Sequence, residues 1–324
     1  MKEESLNKFI NSPYCLLATA VVAVPLSYFF SVLGLGSPVV AEGVCPFKFN
    51  AGGHWLLNAV MMLAVAVMMR VLDKKFAFVR EYTVVYVTYF VSAVLTNPDY
   101  AAGLPVAAAS VFVLMLCVLV LFTGYQQKGR RQFVFLISFI LSLCSLFDYV
   151  FVLYLPVFVI GFIQMKMFSF KGFLAMLLGV FTPYWIVWGA GFAGIGELQL
   201  PELVISKELF LSELQLPELY RILLALVVGT VLGVINLFKL ISYRLQLRSY
   251  NGFITVLALF TTLLIIIDIR NTGIYLMMLN VCVAYQAAHF FTIYKLQRRY
   301  VLFFILIAAN FACCVPEIID WFRL

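Results

Sequence analysis

Four carboxylates lie where long apolar segments of the sequence end, and they are its first candidates for chemistry. They are Glu42, Asp99 in "TNPDY", Asp148 in "LFDYVF" and Asp268 in "IIDIRN". A charge at membrane depth is costly to bury, so such residues are functional candidates by default. The alternative is that each carboxylate only ends a helix or forms a turn. Asp148 is a slightly stronger candidate than the others, because it is the only charge in the apolar run 133–164.

The other residues that could do chemistry form no recognisable set. The two histidines, His54 in "NAGGHWLLN" and His289, fall on predicted opposite sides of the membrane, so they share no metal site or proton relay. The seven cysteines are scattered without a C-x-x-C spacing. The sequence also lacks a Walker loop, H-E-x-x-H and G-x-S-x-G. It therefore predicts no metal site and no cofactor.

Polar residues inside the apolar segments are few, and hydrogen bonding between helices is the default explanation for their presence. They are Asn58, Asn236, Asn280, Gln286, His289 and Asn310. On this interpretation they hold helices together and do not bind a substrate.

The elements that position these residues are membrane helices. Apolar residues make up 65% of the 324-residue chain and charged residues only 11%. The apolar runs are about 20 residues long, the length at which a helix crosses about 30 Å of hydrocarbon. They also lack the polar/apolar alternation of a barrel strand. We therefore predict an all-α, polytopic transmembrane helix bundle that forms one integral membrane domain over residues 1–324.

Eleven segments are candidate spans, within a range of ten to twelve because several are short. They are 14–36, 54–70, 82–96, 104–124, 133–147, 149–164, 172–192, 220–240, 252–268, 272–294 and 300–316. The first is longer than the apolar core of a cleaved signal, typically about 7–15 residues, so we expect it to be retained.

The charge distribution predicts the orientation. With a cytoplasmic N-terminus, most of the 22 basic residues fall inside and most of the 15 acidic residues fall outside, which agrees with the positive-inside rule. Treating 133–164 as one long helix would reverse the later segments and place Lys239, Arg244 and Arg248 outside. We therefore predict a hairpin with Asp148 at its tip, in a region where the bilayer is thin or neighbouring helices cover the tip.

An acidic loop follows the seventh predicted span, over residues 193–219. It contains the sequence "ELQLPEL" twice, at Glu197–Leu203 and Glu213–Leu219. The prolines prevent one unbroken helix, and the local alternation of polar and apolar residues is typical of an extended segment at an interface. We predict that this segment is an extracytoplasmic flap. It either has no role beyond connecting two spans, controls the access of a substrate, or binds a partner.

Between Asp73 and Trp185 the sequence contains three extended blocks, and "NSPY" precedes the first span. The blocks are "DKKFAFVREYTVVYVTYFVSA", "TNPDYAAGLPVAAASVFVLML" and "RRQFVFLISFILSLCSLFDYVFVLYLPVFVIGFIQMKMFSFKGFLAMLLGVFTPYWI". In these blocks the chain resembles an uncharacterised family of polytopic inner-membrane proteins, a domain of unknown function found mainly in Bacteroidota. The resemblance implies a multi-pass protein of the bacterial inner membrane and no particular activity.

The last block is also similar, more loosely, to multi-span polyprenol-dependent glycosyltransferases. It shares with them a hydrophobic hairpin, a basic turn and a span that ends near a proline. In those enzymes a carboxylate in the first outer loop acts as general base or orients the acceptor hydroxyl. The resemblance implies Glu42 for that role, with His54 or Lys48 near a phosphate. The loop here, "SPVVAEGVCPFKFNAGGH", lacks the acidic pair usual in those enzymes.

Three interpretations of function remain open. The first, which we favour, is a non-catalytic component of envelope or glycan/lipid assembly. The second is a glycosyltransferase-like enzyme that uses a polyprenyl-phosphate sugar donor, with Glu42 or Asp148 as the catalytic carboxylate and Asp99 as a further binding residue. The third is a small-molecule permease, which requires polar residues to converge on a midplane cavity.

The expected partners follow from these interpretations. They are the lipid bilayer and either a polyprenyl-phosphate lipid or envelope-assembly proteins. Nucleic acid is not expected, because the positive-inside distribution explains the net charge of +7.

Overall fold

The structure is a computed structural model that describes residues 2–33, 51–77, 79, 83–102, 105–126, 131–191, 216–240, 245–293, 299–316 and 318–319. Within these ranges the chain forms helices joined by turns and contains no strand, so the all-α prediction is confirmed. The helices are α1 (Lys2–Ile10), α2 (Pro13–Leu33), α3 (Ala51–Phe76), α4 (Thr83–Leu95), α5 (Pro98–Ala102), α6 (Val106–Thr123), α7 (Arg131–Cys144), α8 (Val150–Gln164), α9 (Phe170–Gly189), α10 (Leu216–Leu240), α11 (Leu245–Ile267), α12 (Thr272–Ile293) and α13 (Arg299–Ala312).

Seven of the described helices are long and apolar enough to cross a membrane: α2, α3, α6, α9, α10, α11 and α12. Four more are apolar but only 13 to 15 residues long: α4, α7, α8 and α13. Together they coincide with the eleven predicted segments, and they confirm an integral membrane protein with several spanning helices. At 1.5 Å per residue the short helices rise only about 20 to 23 Å, against about 30 Å of hydrocarbon. The span count of eleven stays a prediction.

Several helix boundaries differ from the prediction. Helix α3 continues to Phe76, past the predicted end at residue 70, and α11 begins at Leu245 instead of residue 252. Lys, Arg, Gln and Leu are good helix formers, so a helix continues beyond the point where its apolar run ends. The short helices α1 and α5 were not predicted.

Helix α12 forms the centre of the protein. The whole of its apolar window is buried inside the chain, whereas only 22% is buried for α2 and for α9. Helices α4, α6, α10 and α11 pack around it. The polar side chains Asn280, Gln286 and His289 suit α12 to this position, since neighbouring helices can offer hydrogen-bond partners that lipid cannot.

Helices α7 and α8 form the predicted hairpin. The helices are separated by a turn over residues 145–149, which confirms that the apolar run 133–164 is not one helix. Ser142 Oγ donates to the Val180 carbonyl oxygen at 2.5 Å, and Ser145 Oγ lies 2.7 Å from Tyr184 Oη. From Ser142 to Ser145 the contacted residue changes from Val180 to Tyr184, which is also later in the sequence. The two helices α7 and α9 therefore run parallel.

Helix termini meet at one end of the bundle, which we call the basic end. Lys75 Nζ donates to Thr123 Oγ1 at 3.1 Å. The Gln126 N–H donates to the Met165 carbonyl oxygen at 3.2 Å, and so the C-terminal ends of α3, α6 and α8 lie together. Several bases here are exposed: Lys74, Lys75, Arg131, Lys166, Lys171 and Arg248.

The opposite end, which we call the Asp268 end, is mostly acidic. Tyr100 Oη donates to the Gly273 carbonyl oxygen at 2.8 Å, which joins α5 to the start of α12. Tyr149 Oη donates to Asp268 Oδ1 at 3.1 Å, which joins the hairpin tip to the end of α11. The bundle therefore separates its charges along its axis, as the sequence predicts. Which end faces the cytoplasm stays a prediction.

Helices α7 and α9 approach closely at Gly179, and this contact is open to a direct test. A Cβ atom added at Gly179 would lie 2.7 Å from the Phe135 carbonyl oxygen, whereas one added at Gly189 would meet nothing within 4 Å. We expect Gly179→Ala to destabilise the protein by about 1–3 kcal/mol through overpacking. Gly189→Ala, the matched control in the same helix, should be neutral or stabilising by up to about 1 kcal/mol. Thermal unfolding in detergent measures both, and equal effects would contradict the close approach.

Candidate functional site

Arg221 is a buried cation near the start of α10. The residue is only 7% exposed. Its Nη1 donates to Asn97 Oδ1 at 3.0 Å and lies 3.6 Å from Asp99 Oδ2. Asn97 Oδ1 also accepts the Asp99 N–H at 3.1 Å, so the same oxygen organises the turn between α4 and α5. A buried charge needs such partners, because removing an unpaired guanidinium from water is costly.

A small polar cavity lies beside this guanidinium, and we call it the Arg221 pocket. Polar side chains from α10, α12, α13 and the turns that follow α4 and α13 converge on it: Thr96, Asn97, Arg221, Asn280, Asn310 and Cys313. Its volume is about 10 Å³, close to the minimum that holds one water molecule. In this conformation the pocket therefore admits a single water-sized polar group and no larger ligand.

Polar residues of the apolar segments form hydrogen bonds between helices. Asn310 Nδ2 donates to Ser92 Oγ at 2.9 Å, which links α13 to α4. Asn236 Nδ2 donates to the Gln286 carbonyl oxygen at 2.8 Å, which links α10 to α12. For Asn236 and Asn310 the predicted packing role is thus confirmed.

Asp268 is the centre of a second polar cluster at the same end. The residue is 3% exposed. Its Oδ2 accepts from Tyr275 Oη at 2.7 Å and from Asn271 Nδ2 at 3.0 Å, while Oδ1 accepts from Tyr149 Oη at 3.1 Å. Three donors therefore replace the water that a carboxylate loses on burial. The position just before the N-terminus of α12 also favours a negative charge.

Asp148 initiates helix α8 at the hairpin tip. Its Oδ1 accepts the Val150 N–H at 3.0 Å, the turn role that the sequence predicts. Burial raises the pKa of Asp148, the Val150 N–H opposes this rise, and the charge of Asp268 adds to it. The carboxyl group therefore holds its proton to a higher pH than an ordinary aspartate.

The two clusters flank the N-terminus of α12. Tyr100, beside Asp99, bonds to the Gly273 carbonyl oxygen, and Asn271 bonds to Asp268 and to Tyr149 Oη at 2.8 Å. Asp99 and Asp148 thus lie at the same end of the bundle but in separate hydrogen-bond networks. The Arg221 pocket is lined by neither of them.

The remaining predicted site residues have different outcomes. Glu42 and Lys48 lie outside the described residues, as does most of the predicted loop 193–219, of which only 216–219 is described, as the start of α10. His54 lies in the first turn of α3 and is partly buried. The neighbouring Trp55 donates its Nε1 to Ser27 Oγ at 3.0 Å, which holds this turn against α2.

Sequence reasoning named Asp268 as a candidate carboxylate but did not single out Arg221, the central residue of the first cluster. A signal for Arg221 is present in α10, where small residues follow it at intervals of four, at Ala225, Gly229 and Gly233. That spacing places them on one helix face, and a face of small residues indicates a close helix contact.

Comparison of the chain with protein families, characterised proteins and solved structures found no match. Among the described side chains, no group of three or more His, Cys, Asp or Glu residues is placed to hold a metal ion.

The raised pKa of Asp148 predicts a pH dependence of stability. An unfolded aspartate titrates near 3.8, and above that pH the unfolded chain releases a proton that the folded protein still holds. Stability therefore falls as the pH rises from the unfolded pKa towards the folded one, and then stays constant. We expect Asp148→Asn to remove this fall while retaining the acceptor for the Val150 N–H. The test is the melting temperature of the wild type and of Asp148→Asn in detergent, measured from pH about 3 to about 7. Melting temperatures that change with pH in the same way in both proteins would contradict the prediction.

Proposed function

We propose that this chain is a multi-pass protein of the bacterial inner membrane and a non-catalytic component of envelope glycan or lipid assembly. The working surface in this proposal is the Asp268 end, facing the extracytoplasmic side. The proposed partners are the lipid bilayer and envelope-assembly proteins or a polyprenyl-phosphate lipid, with no nucleic acid. Membership of the Bacteroidota family stays a prediction.

The observation that supports the proposal is the internal pairing of the ionisable groups at this end. The carboxylate of Asp268 accepts from three donors, and the guanidinium of Arg221 bonds to Asn97 and faces Asp99. Groups held in this way fix the positions of α5, α10, α12 and the hairpin tip relative to one another. These buried groups hold the helix ends together as a platform, which suits the docking of a partner better than the turnover of a substrate.

The position of the acidic loop supports the same function. The loop leads directly into α10, and Arg221 lies two residues after the predicted loop end at residue 219. The buried contacts of Arg221 therefore fix the C-terminal end of the loop to the platform. An acidic segment attached to a rigid surface is suited to a basic or cationic partner.

A glycosyltransferase-like enzyme is the alternative, and Asp148 is the observation that favours it. Its raised pKa brings the carboxyl group nearer to the range in which it can donate and accept protons at neutral pH. In this alternative Asp148 or Glu42 activates an acceptor hydroxyl, with Lys48, His54 or Asp99 binding the substrate.

A small-molecule permease is the second alternative, and the convergence of polar side chains on the Arg221 pocket favours it. Polar side chains of α10, α12, α13 and the adjoining turns meet there, and transporters bind their substrates between helices; the pocket lies at the Asp268 end and not at the midplane. At about 10 Å³ the pocket would have to widen before a solute could pass.

Complementation of a deletion strain of the encoding bacterium separates these functions. The strain receives wild type, Asp148→Asn or Glu42→Gln, with Asn271→Ala as a control for disturbance of the same surface. Lipid-linked glycan precursors are profiled and protein levels are measured by blot. We expect the deletion to alter the precursors and both carboxylate variants to restore the wild-type profile.

Two other outcomes would overturn the proposal. A carboxylate variant that accumulates normally but leaves a glycan-lipid precursor unused would support the enzyme. A deletion that leaves envelope precursors unchanged and alters the uptake of a small molecule would support the permease.

A further inference from the structure

A second cavity lies at mid-height of the bundle, between α10, α11 and α12. Its volume is about 80 Å³, several times the space that one water molecule needs. We call it the Gln286 groove. The residues that line it are Leu226, Gly229, Thr230, Gly233, Val234, Thr255, Ala258, Leu259, Thr262, Leu279 and Gln286.

Two glycines of α10 make room for the Gln286 side chain at the floor of this groove. A Cβ atom at Gly233 would lie 3.1 Å from Gln286 Nε2, and one at Gly229 would lie 3.6 Å from Gln286 Oε1. Larger residues at these positions would press on the carboxamide or fill the space beside it. The glycine pair therefore leaves the amide facing the groove.

The amide oxygen of Gln286 accepts no hydrogen bond from the residues that the structure describes. The residue is only 4% exposed, so bulk water does not solvate it. A buried acceptor without a partner costs about 1–3 kcal/mol. An occupant that brings a donor to this oxygen would recover that energy.

The rim of the groove faces the surroundings of the bundle. Val234 on α10 is 52% exposed and Leu259 on α11 is 57% exposed. Both belong to helices long and apolar enough to span the membrane, so this surface faces lipid. An occupant would reach the groove sideways from the bilayer, and the apolar walls suit an alkyl chain.

We propose that the Gln286 groove binds a single alkyl chain that carries a hydroxyl group, with the hydroxyl donating its hydrogen bond to Gln286 Oε1. The chain packs between Val234, Ala258 and Leu259, and the hydroxyl oxygen lies within the region of Thr230 and Thr255. This site is distinct from the platform at the Asp268 end and does not depend on the proposed function.

Photolabelling of the purified full-length protein in detergent tests the site. The probe is 3-azioctanol, an eight-carbon alcohol with a photoreactive diazirine, and labelled residues are located by mass spectrometry. We expect label on groove residues such as Val234 and Leu259. Octanol should compete for the label, whereas octyl methyl ether, which has no hydroxyl donor, should compete about fivefold less well. If the ether competes as well as octanol does in the wild-type protein, that result by itself would overturn the proposal.

A matched pair of variants tests the role of the amide. Gln286→Leu removes the acceptor, and Gln164→Leu makes the same change at another amide oxygen without a described partner, on α8. Gln286→Leu should abolish the preference for octanol over its ether, while Gln164→Leu should retain it. Label that lies outside the groove, or a preference that survives Gln286→Leu, would overturn the proposal.

Discussion

The structure depends on one constraint: α12, the helix at its centre, is buried over its whole apolar window and still carries polar side chains. In a hydrocarbon environment no water can satisfy such groups, so the partners must come from neighbouring helices or from a bound molecule. Asn236 of α10 reaches the backbone of α12, Tyr275 of α12 bonds to Asp268, and Tyr100 of α5 bonds to the carbonyl of Gly273. Each of these bonds fixes the position of one helix relative to α12.

The same constraint explains why the ionisable residues lie where they do. The N-terminus of α12 is the positive end of its helix dipole, and the carboxylate of Asp268 lies beside it, bonded to Asn271 and Tyr275. The buried Arg221 and the partly exposed Asp99 form an ion pair on the other side of this terminus. Four of the described apolar helices, α4, α7, α8 and α13, are shorter than the others. For the hairpin we still expect either a thin bilayer or neighbouring helices that cover the tip.

Much of the fold could be predicted from sequence because hydrophobicity is a local property. Apolar runs reveal α2 to α4 and α6 to α13 without knowledge of their partners, and a single charge, Asp148, reveals the hairpin turn. The clusters could not be predicted in this way. Arg221 meets Asn97 across 124 positions of sequence, and Tyr149 meets Asp268 across 119. These contacts depend on how the helices pack. The Gln286 groove likewise exists only where three helices meet around the glycines of α10.

The most direct test of this account is the side of the membrane on which the Asp268 end lies. Single cysteines are placed at Phe147, the hairpin tip, which is 73% exposed, and at Lys171, exposed at the basic end, in a protein whose seven native cysteines are replaced. Intact cells are treated with a membrane-impermeant maleimide. We expect labelling of the cysteine at 147 in intact cells, and of the one at 171 only after permeabilisation. The reverse pattern, or protection of the hairpin tip from both sides, would contradict an extracytoplasmic platform built on α12.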